Sequence, residues 1–424
     1  MATHATTPDA LTDGFDLIDP GPYGVTGTPH ASFAALRRHS PLHHCQPAGY
    51  APFWAVTKHA DICEISKRPD TFLSYPGIVH PRAEIVIDRS QGIGAMRTII
   101  EMDPPRHRTL RKVASPWFTP RALARVDAVV QESARGLVDE LAARGREGEC
   151  DFATEIATAH PLRILSTILG VSREDEPRIL RLTNQLFAPD DPDLGRACTD
   201  RQKVFMELGL ELFQLFNEVV TDRRAHPRDD LATLLATAQV DGEPMGPMDT
   251  FGYYLIVFTA GHDTTKNSIT GGMRAFAENP DQLALLQRRP ELVSSAVEEV
   301  VRWATPVNYM RRTAARDVEL RGQKIREGDH LILFYASANR DEDVYEDPFR
   351  FRIDREPNHH LGFGIGEHFC LGSHLARRSQ RALFAELARR LEVVELAGEP
   401  QWIQSSFVVG LKHLPIRYRL RADA

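Results

Sequence analysis

The chain has 424 residues, 42% hydrophobic and 26% charged, the balance of an ordinary globular protein able to bury a large core. A formal net charge of −7 argues against nucleic acid as the main partner. No stretch approaches about 18 uninterrupted apolar residues, which argues against a membrane-spanning helix.

From the N-terminus, Met1 to Asp19 reads as a polar tail without an apolar core, so neither a signal peptide nor a membrane anchor is expected there. Five cysteines, at 45, 63, 150, 198 and 370, carry no paired spacing, and an odd set of this kind suggests a reducing cytoplasm. Phe53–Val56 is a short strand candidate. The stretch Tyr75–Arg97 mixes Gly77, Gly92 and Gly94 with apolar residues and suits a loop that covers a pocket. Helices are predicted over Ala122–Ala143 and Asp200–Arg224. Pro189–Gly195 and His226–Asp230 read as exposed loops. Met248–Ala277 is the longest helix candidate, and Leu292–Trp303 is another. Residues 308–335 carry strand patterns, clearest at Leu331–Phe334. Leu371, Leu375, Leu383, Leu387 and Leu391 recur at helical intervals, and Trp402–Leu420 reads as extended segments. There is no internal repeat and no low-complexity segment. Length alone suggests two or three domains.

Three constellations stand out. The first is Phe363-Gly-Ile-Gly-Glu-His368-Phe-Cys370-Leu-Gly372, one cysteine on a glycine-rich loop where a helix begins. A helix N-terminus favours a thiolate over a thiol. Gly364, Gly366 and Gly372 allow tight turns and a close approach to a flat cofactor. A thiolate held so suits a metal with a single protein ligand, and haem iron with an axial cysteine fits that chemistry. The second is Ala260-Gly-His-Asp263-Thr264-Thr265, inside the longest helix. A threonine hydroxyl can bond a carbonyl one turn back, so a local widening that admits water is expected here. The third is Glu299-Val-Val-Arg302, spaced for an ion pair on one helix face.

These residues resemble cytochrome P450 monooxygenases, and the resemblance runs from about residue 20 to the end. It implies a mainly α fold with small β-sheets, in which residues 20–424 form a single haem-thiolate domain behind the tail 1–19. It implies that Cys370 binds the iron of haem b, within a loop that includes Phe363, Gly364 and Gly372. Thr264 would hydrogen-bond the bound oxygen, and Asp263 would feed it protons. His262 reads either as a packed or surface residue or as a further proton relay. The propionates would be held by His107, Arg111, Arg312 and His368, with Asp317 selecting Arg312 over Arg311 as the inward member of the doublet. Ile256, Thr259, Ala260, Val307, Phe407 and Val408 would line the substrate pocket. Glu299 and Arg302 would be structural, the arginine fastening the region near Asn339 and Phe349.

The resemblance also implies O2 as co-substrate and a small-to-medium hydrophobic substrate. The wording is nearest bacterial members that oxidise terpene alcohols or hydrocarbons, and it is similar to steroid-oxidising members around Phe407–Gly410. No nucleotide fingerprint or iron–sulfur cysteine set is present, so NAD(P)H would act only through a two-iron ferredoxin and its reductase. Arg108, Lys112 and Arg377, with Arg106, Arg378 and Arg381 nearby, read as a basic patch for that partner. A cytoplasmic monomer is expected. Two other classes stay open on sequence alone. One is a peroxide-dependent haem-thiolate peroxygenase, against which the Asp263-Thr264 pair argues. The other is a non-catalytic haem ligand sensor.

Overall fold

The structure is a computed structural model and describes residues 11–83, 97–196 and 200–422. Helix accounts for 52% of the chain. The long helix Pro247–Glu278 runs through the middle. Proline occupies its first turn, where a missing N–H costs nothing, and Pro280 opens the next helix after the break at Asn279. Twenty of its residues are buried, an all-round pattern expected of a central helix. Gly271 and Gly272 let its neighbours come close: a Cβ at Gly271 would stand 2.8 Å from the Ala304 Cβ, and one at Gly272 2.7 Å from Val300 and 2.8 Å from Phe384. The helices Val293–Ala304 and Ser373–Arg390 therefore lie directly against the centre. Tyr254 seals another contact, its hydroxyl donating to the Ala232 carbonyl at 2.6 Å.

Five strands form the larger sheet, in the order Leu42–Cys45, Phe53–Val56, His330–Phe334, Tyr309–Ala314 and Phe72–Leu73. All neighbours are antiparallel except Phe53–Val56 with His330–Phe334. The register sets Leu331 opposite Arg312 and Ile332 opposite Arg311, so the two arginines leave the strand on opposite faces. A second sheet joins Leu391–Leu396, Pro415–Leu420 and Glu147–Asp151.

Four expectations are corrected. The tail does not run free to Asp19: Phe15–Ile18 is helical and Leu17 and Ile18 are buried beside Phe33 and Phe53, because two apolar residues suffice to dock one turn. Ala122–Val126 is a 3-10 turn, and the helix proper spans Asp127–Arg144. The run Pro189–Gly195 is not simply an exposed loop. Asp191 is buried within it and accepts the N–H groups of Gln404, Asp193 and Leu194 and the Lys412 ammonium. The central helix does not widen at 260–265 but stays α-helical throughout, since Thr264 bonds the Ala260 carbonyl without breaking the ladder. Of the covering loop, residues 84–96 lie outside the described residues. Among the described residues, no helix is long and apolar enough to cross a membrane.

Candidate active site

Cys370 lies three residues before the helix Ser373–Arg390, on a loop pinned at both ends. Its N–H donates to the Phe363 carbonyl at 2.9 Å, and Gly364 N–H donates to Leu361 at 2.9 Å. Gly364 and Gly366 take φ of 66° and 76°, left-handed values that suit glycine. At Gly366 a Cβ would come within 2.2 Å of the Ser66 carbonyl oxygen. At Gly372 a Cβ would meet nothing within 4 Å, so that glycine leaves a cradle beside the cysteine rather than relieving a clash. Burial pushes the Cys370 thiol up, while the Gly372 N–H, the charges of Arg111 and Arg377 and the Ser373 N–H act the other way. Coordination to a metal would deprotonate the sulfur outright. Among the described residues no cluster of three His, Cys, Asp or Glu side chains could hold a metal alone. A lone thiolate donor suits an iron that brings its own ring of nitrogen ligands.

The expected propionate residues gather around His368. Its ring packs on His107 at 4.2 Å between centroids, and its Nε2 lies 3.0 Å from the Ser74 hydroxyl. Burial, then the charges of Arg312, His107 and Arg111, push His368 down to about 2. The ring is therefore neutral. His107 is 1% exposed and meets Glu367 at 3.1 Å. Arg111 donates to the Phe369 carbonyl. Arg312 sits on the His368 face of its strand. Arg311, on the other face, donates to the Gly77 carbonyl at 2.8 Å and is as buried as Arg312. Asp317 pairs instead with Arg326 on a surface turn.

On the central helix, Ile256, Ala260 and Thr264 follow one stripe and keep accessible surface, whereas Phe258, Thr259, His262 and Asp263 are buried. Thr259 thus lies off that stripe, and its hydroxyl turns back to the Leu255 carbonyl at 2.7 Å. Thr264 Oγ1 lies 2.6 Å from the Ala260 carbonyl. His262 is packed, its ring stacked on Phe258 and its Nε2 set 3.2 Å from the Thr158 carbonyl. Burial pushes the Asp263 carboxyl up, but His262 and then Lys266 outweigh it and leave it lowered. Val307 and Val408 are paired by a β-bridge, and Asn308 N–H donates to Phe407 at 3.0 Å, so both expected pocket segments run side by side. Val408 is buried rather than open.

Glu299 and Arg302 are wholly buried and bonded through both guanidinium arms at 2.7 Å. Arg302 also donates to the Asn339 and Pro348 carbonyls, each at 2.9 Å.

The partner patch differs from expectation. Arg377 is clamped on Glu298 at 2.7 and 2.8 Å and lies over the Phe363 ring at 4.3 Å, which makes it a brace of the cysteine loop. Arg108 is exposed but held by both oxygens of Glu367, while Arg106 and Arg378 pair with Asp249 and Asp127. Lys112 is exposed and unpaired among the described residues. Sequence reasoning missed Ser74, Glu298 and Glu367 as partners of the loop. Glu298 had a signal in its doublet with Glu299; Ser74 had none.

A cysteine sulfur within a glycine cradle, an imidazole–guanidinium group beside it and an acid–alcohol pair on the central helix define a haem-thiolate oxygenase. The cytochrome P450 family model matches residues 79–420. Cytochrome P450-terp of a Pseudomonas species is 38% identical over 99% of both chains. Steroid C26-monooxygenase of Mycobacterium tuberculosis is 37% identical over 96% of this chain and 93% of that one. The crystal structure of CYP108D1 from Novosphingobium aromaticivorans superposes with a TM-score of 0.88 at 38% identity, covering 97% of this chain and 99% of that one. The chain belongs to the cytochrome P450 family and is a monooxygenase that uses haem and O2.

Proposed function

We propose that this enzyme hydroxylates a terpenoid, an aromatic hydrocarbon or a steroid-like molecule, with electrons from a two-iron ferredoxin and its reductase. The observation that carries this reading is the stripe Ile256, Ala260 and Thr264, apolar except at its last member and accessible in the middle of a helix most of whose residues are buried. Apolar walls with one hydroxyl bind a substrate by shape and leave a single polar atom at the reacting end. Phe407, with its ring edge-on to Tyr309 at 5.4 Å, and Val307 supply the facing wall.

Haem b fits the residues present. Cys370 would ligate its iron, Phe363, Gly364 and Gly372 would flank the macrocycle, and His107, Arg111, Arg312 and His368 would hold its propionates. The bound cofactor supplies oxygen activation and hydrogen removal from an unactivated C–H bond. The protein's part is orientation and proton supply. Thr264 Oγ1 holds a proton that it now shares with the Ala260 carbonyl, and Asp263 replaces that proton once it leaves. Burial of both neighbouring positions on the helix keeps bulk water from this end.

Titration of the purified enzyme with terpenes, aromatics and steroids, followed by the Soret shift, tests the substrate class. An apolar binder with micromolar affinity supports it. Binding only of charged polar compounds overturns it. Product formation with ferredoxin and reductase, against product formation with peroxide alone, separates the monooxygenase reading from the peroxygenase one.

A further inference from the structure

Asn267 stands on the central helix one turn after Thr264, so it continues the line of Ile256, Ala260 and Thr264. It is 2% exposed, and neither polar atom of its amide has a hydrogen-bond partner. Burying a carboxamide without partners is costly, and native interiors rarely leave one so. The amide lines a small cavity with room for a single oxygen. Asp263 and Lys266 share the helix side of this cavity, and Phe187, Ile403 and Val408 are among its other walls. Asp263 Oδ2, one turn before Asn267, is unpartnered as well. Val408 ties the cavity to the proposed substrate wall, since it is bridged to Val307. Gly410 leaves the amide its room: a Cβ there would stand 2.2 Å from Asn267 Oδ1. The segment Phe407–Gly410 is thus fitted to this side chain at one end and to the substrate space at the other.

We propose that Asn267 is a specificity-determining residue that binds a hydroxyl group of the substrate in this cavity, so that the substrate is an alcohol and not a plain hydrocarbon. The idea rests on the apolar pocket proposed above and adds to it a polar anchor beside its Thr264 end. The count of donors and acceptors selects the hydroxyl. Asn267 Nδ2 only donates, whereas Asn267 Oδ1 and Asp263 Oδ2 accept. A hydroxyl oxygen accepts from Nδ2 while its own proton goes to one of the two oxygens. A ketone or an ether meets the donor alone. A hydrocarbon meets neither and leaves every one of these groups unpaired. A site built to pair a substrate hydroxyl rejects the analogue that lacks it more strongly than an apolar pocket rejects a missing methylene. Phe187, Ile403 and Val408 receive the carbon skeleton next to the hydroxyl.

The test compares dissociation constants of the holoenzyme, read from the Soret shift, for alcohols and hydrocarbons that share a skeleton: menthol and p-menthane, borneol and bornane, cholestanol and cholestane. In wild type an alcohol should bind about tenfold tighter than its own hydrocarbon, the factor that about 1.4 kcal/mol of net hydrogen bonding represents. Asn267→Ala and Asn267→Val remove the amide with a smaller and a larger apolar side chain, and each should erase that preference. The carbonyl-bound ferrous spectrum checks that each variant is folded, and Asn267→Val carries the test should Asn267→Ala fail to fold. An Asn267 that merely packs the helix would weaken alcohol and hydrocarbon alike. A preference unchanged in the variants therefore overturns the proposal. So does a wild type that binds the hydrocarbons but prefers no alcohol to its hydrocarbon, because the cavity then holds water only. A wild type that prefers the ketone of a skeleton to its alcohol overturns the choice of a hydroxyl. If no member of any pair binds, the apolar pocket itself falls and the anchor with it; if the hydrocarbons bind without the alcohol preference, only the Asn267 assignment falls.

Discussion

The Asn339 side-chain oxygen accepts the Leu361 N–H at 2.7 Å, and the Asn339 backbone carbonyl accepts from Arg302 at 2.9 Å. One residue thus ties the buried Glu299–Arg302 pair to the start of the cysteine loop. Glu299 carries more than that pair: Arg355, Asn358 and the Arg352 N–H all bond its carboxylate. Glu299→Ala should cost about 3–5 kcal/mol, because two guanidinium groups lose their counter-ion in the interior. Asn339→Ala should cost about 1–3 kcal/mol, the penalty of leaving the buried Leu361 N–H without its acceptor. Chemical denaturation measures both, and both variants should also release haem more readily than wild type does.

Cys370→Ala should remove the Soret band of the carbonyl-bound ferrous form that thiolate ligation gives, or leave the protein without haem. The loop itself should survive, since the bonds at Phe363, Leu361 and Gly366 are made by backbone. A thiolate-type spectrum in the variant would refute the assignment of the ligand.

Thr264 and Thr259 make the same bond to their own helix but differ in exposure, which allows a paired test. Thr264→Ala should keep substrate binding and the thiolate spectrum yet divert electrons to hydrogen peroxide. Thr259→Ala should stay coupled. Equal coupling in both would show that the accessible hydroxyl is not the proton carrier. A shortfall rescued by Thr265 is ruled in or out by Thr265→Ala on each background.

How much was legible follows from how far apart the partners lie. Cys370 with Gly364 and Gly372, and Asp263 with Thr264, sit within one loop or one turn, so residue types and spacing already carry their chemistry. Glu299 and Arg302 were legible for the same reason. The bracing contact of Arg377 was not legible because its partner lies 79 residues away: nothing near it announces Glu298, and an arginine after a helix start looks like surface. Ser74 is 294 residues from His368 and had no signal at all. The tail failed differently. Leu17 and Ile18 are too few to set up a periodicity, yet one docked turn is enough to bury them. The absent widening at Thr264 shows tertiary packing overriding a local tendency, since every neighbouring turn is held by the surrounding helices.

Glu298 gives the cysteine loop a pH dependence. Burial alone would raise its carboxyl, but hydrogen bonds from His360 and Arg377 outweigh that and hold it at about 2, against an ordinary 4.5. A carboxyl depressed on folding stabilises the native state above its unfolded value, and that contribution fades as pH falls toward the folded one. The denaturation midpoint of wild type should therefore exceed that of Glu298→Gln at neutral pH. The gap should be constant down to about pH 4.5 and close progressively below it. A gap that widens on acidification would contradict the pairing.

The remaining question is how electrons enter, and Lys112 is the better probe of it. Arg377→Glu would set two carboxylates against each other at Glu298 and strip the cation from the Phe363 ring, so it should weaken haem binding and alter the carbonyl spectrum. It cannot isolate docking. Arg108 is neutralised by Glu367. Lys112 stands exposed on the helix Arg106–Ala114, one turn after Arg108 and without an ion-pair partner among the described residues. Lys112→Glu should leave the carbonyl spectrum and substrate affinity as in wild type. If an acidic ferredoxin docks here, haem reduction should slow by about fivefold at low salt, the factor that about 1 kcal/mol of exposed attraction represents. The difference should shrink as salt rises, since charges are screened beyond about 8 Å near 0.15 M. The loss should fall on association and not on the limiting rate at saturating ferredoxin. Reduction rates that match wild type at every salt concentration would place the docking surface elsewhere.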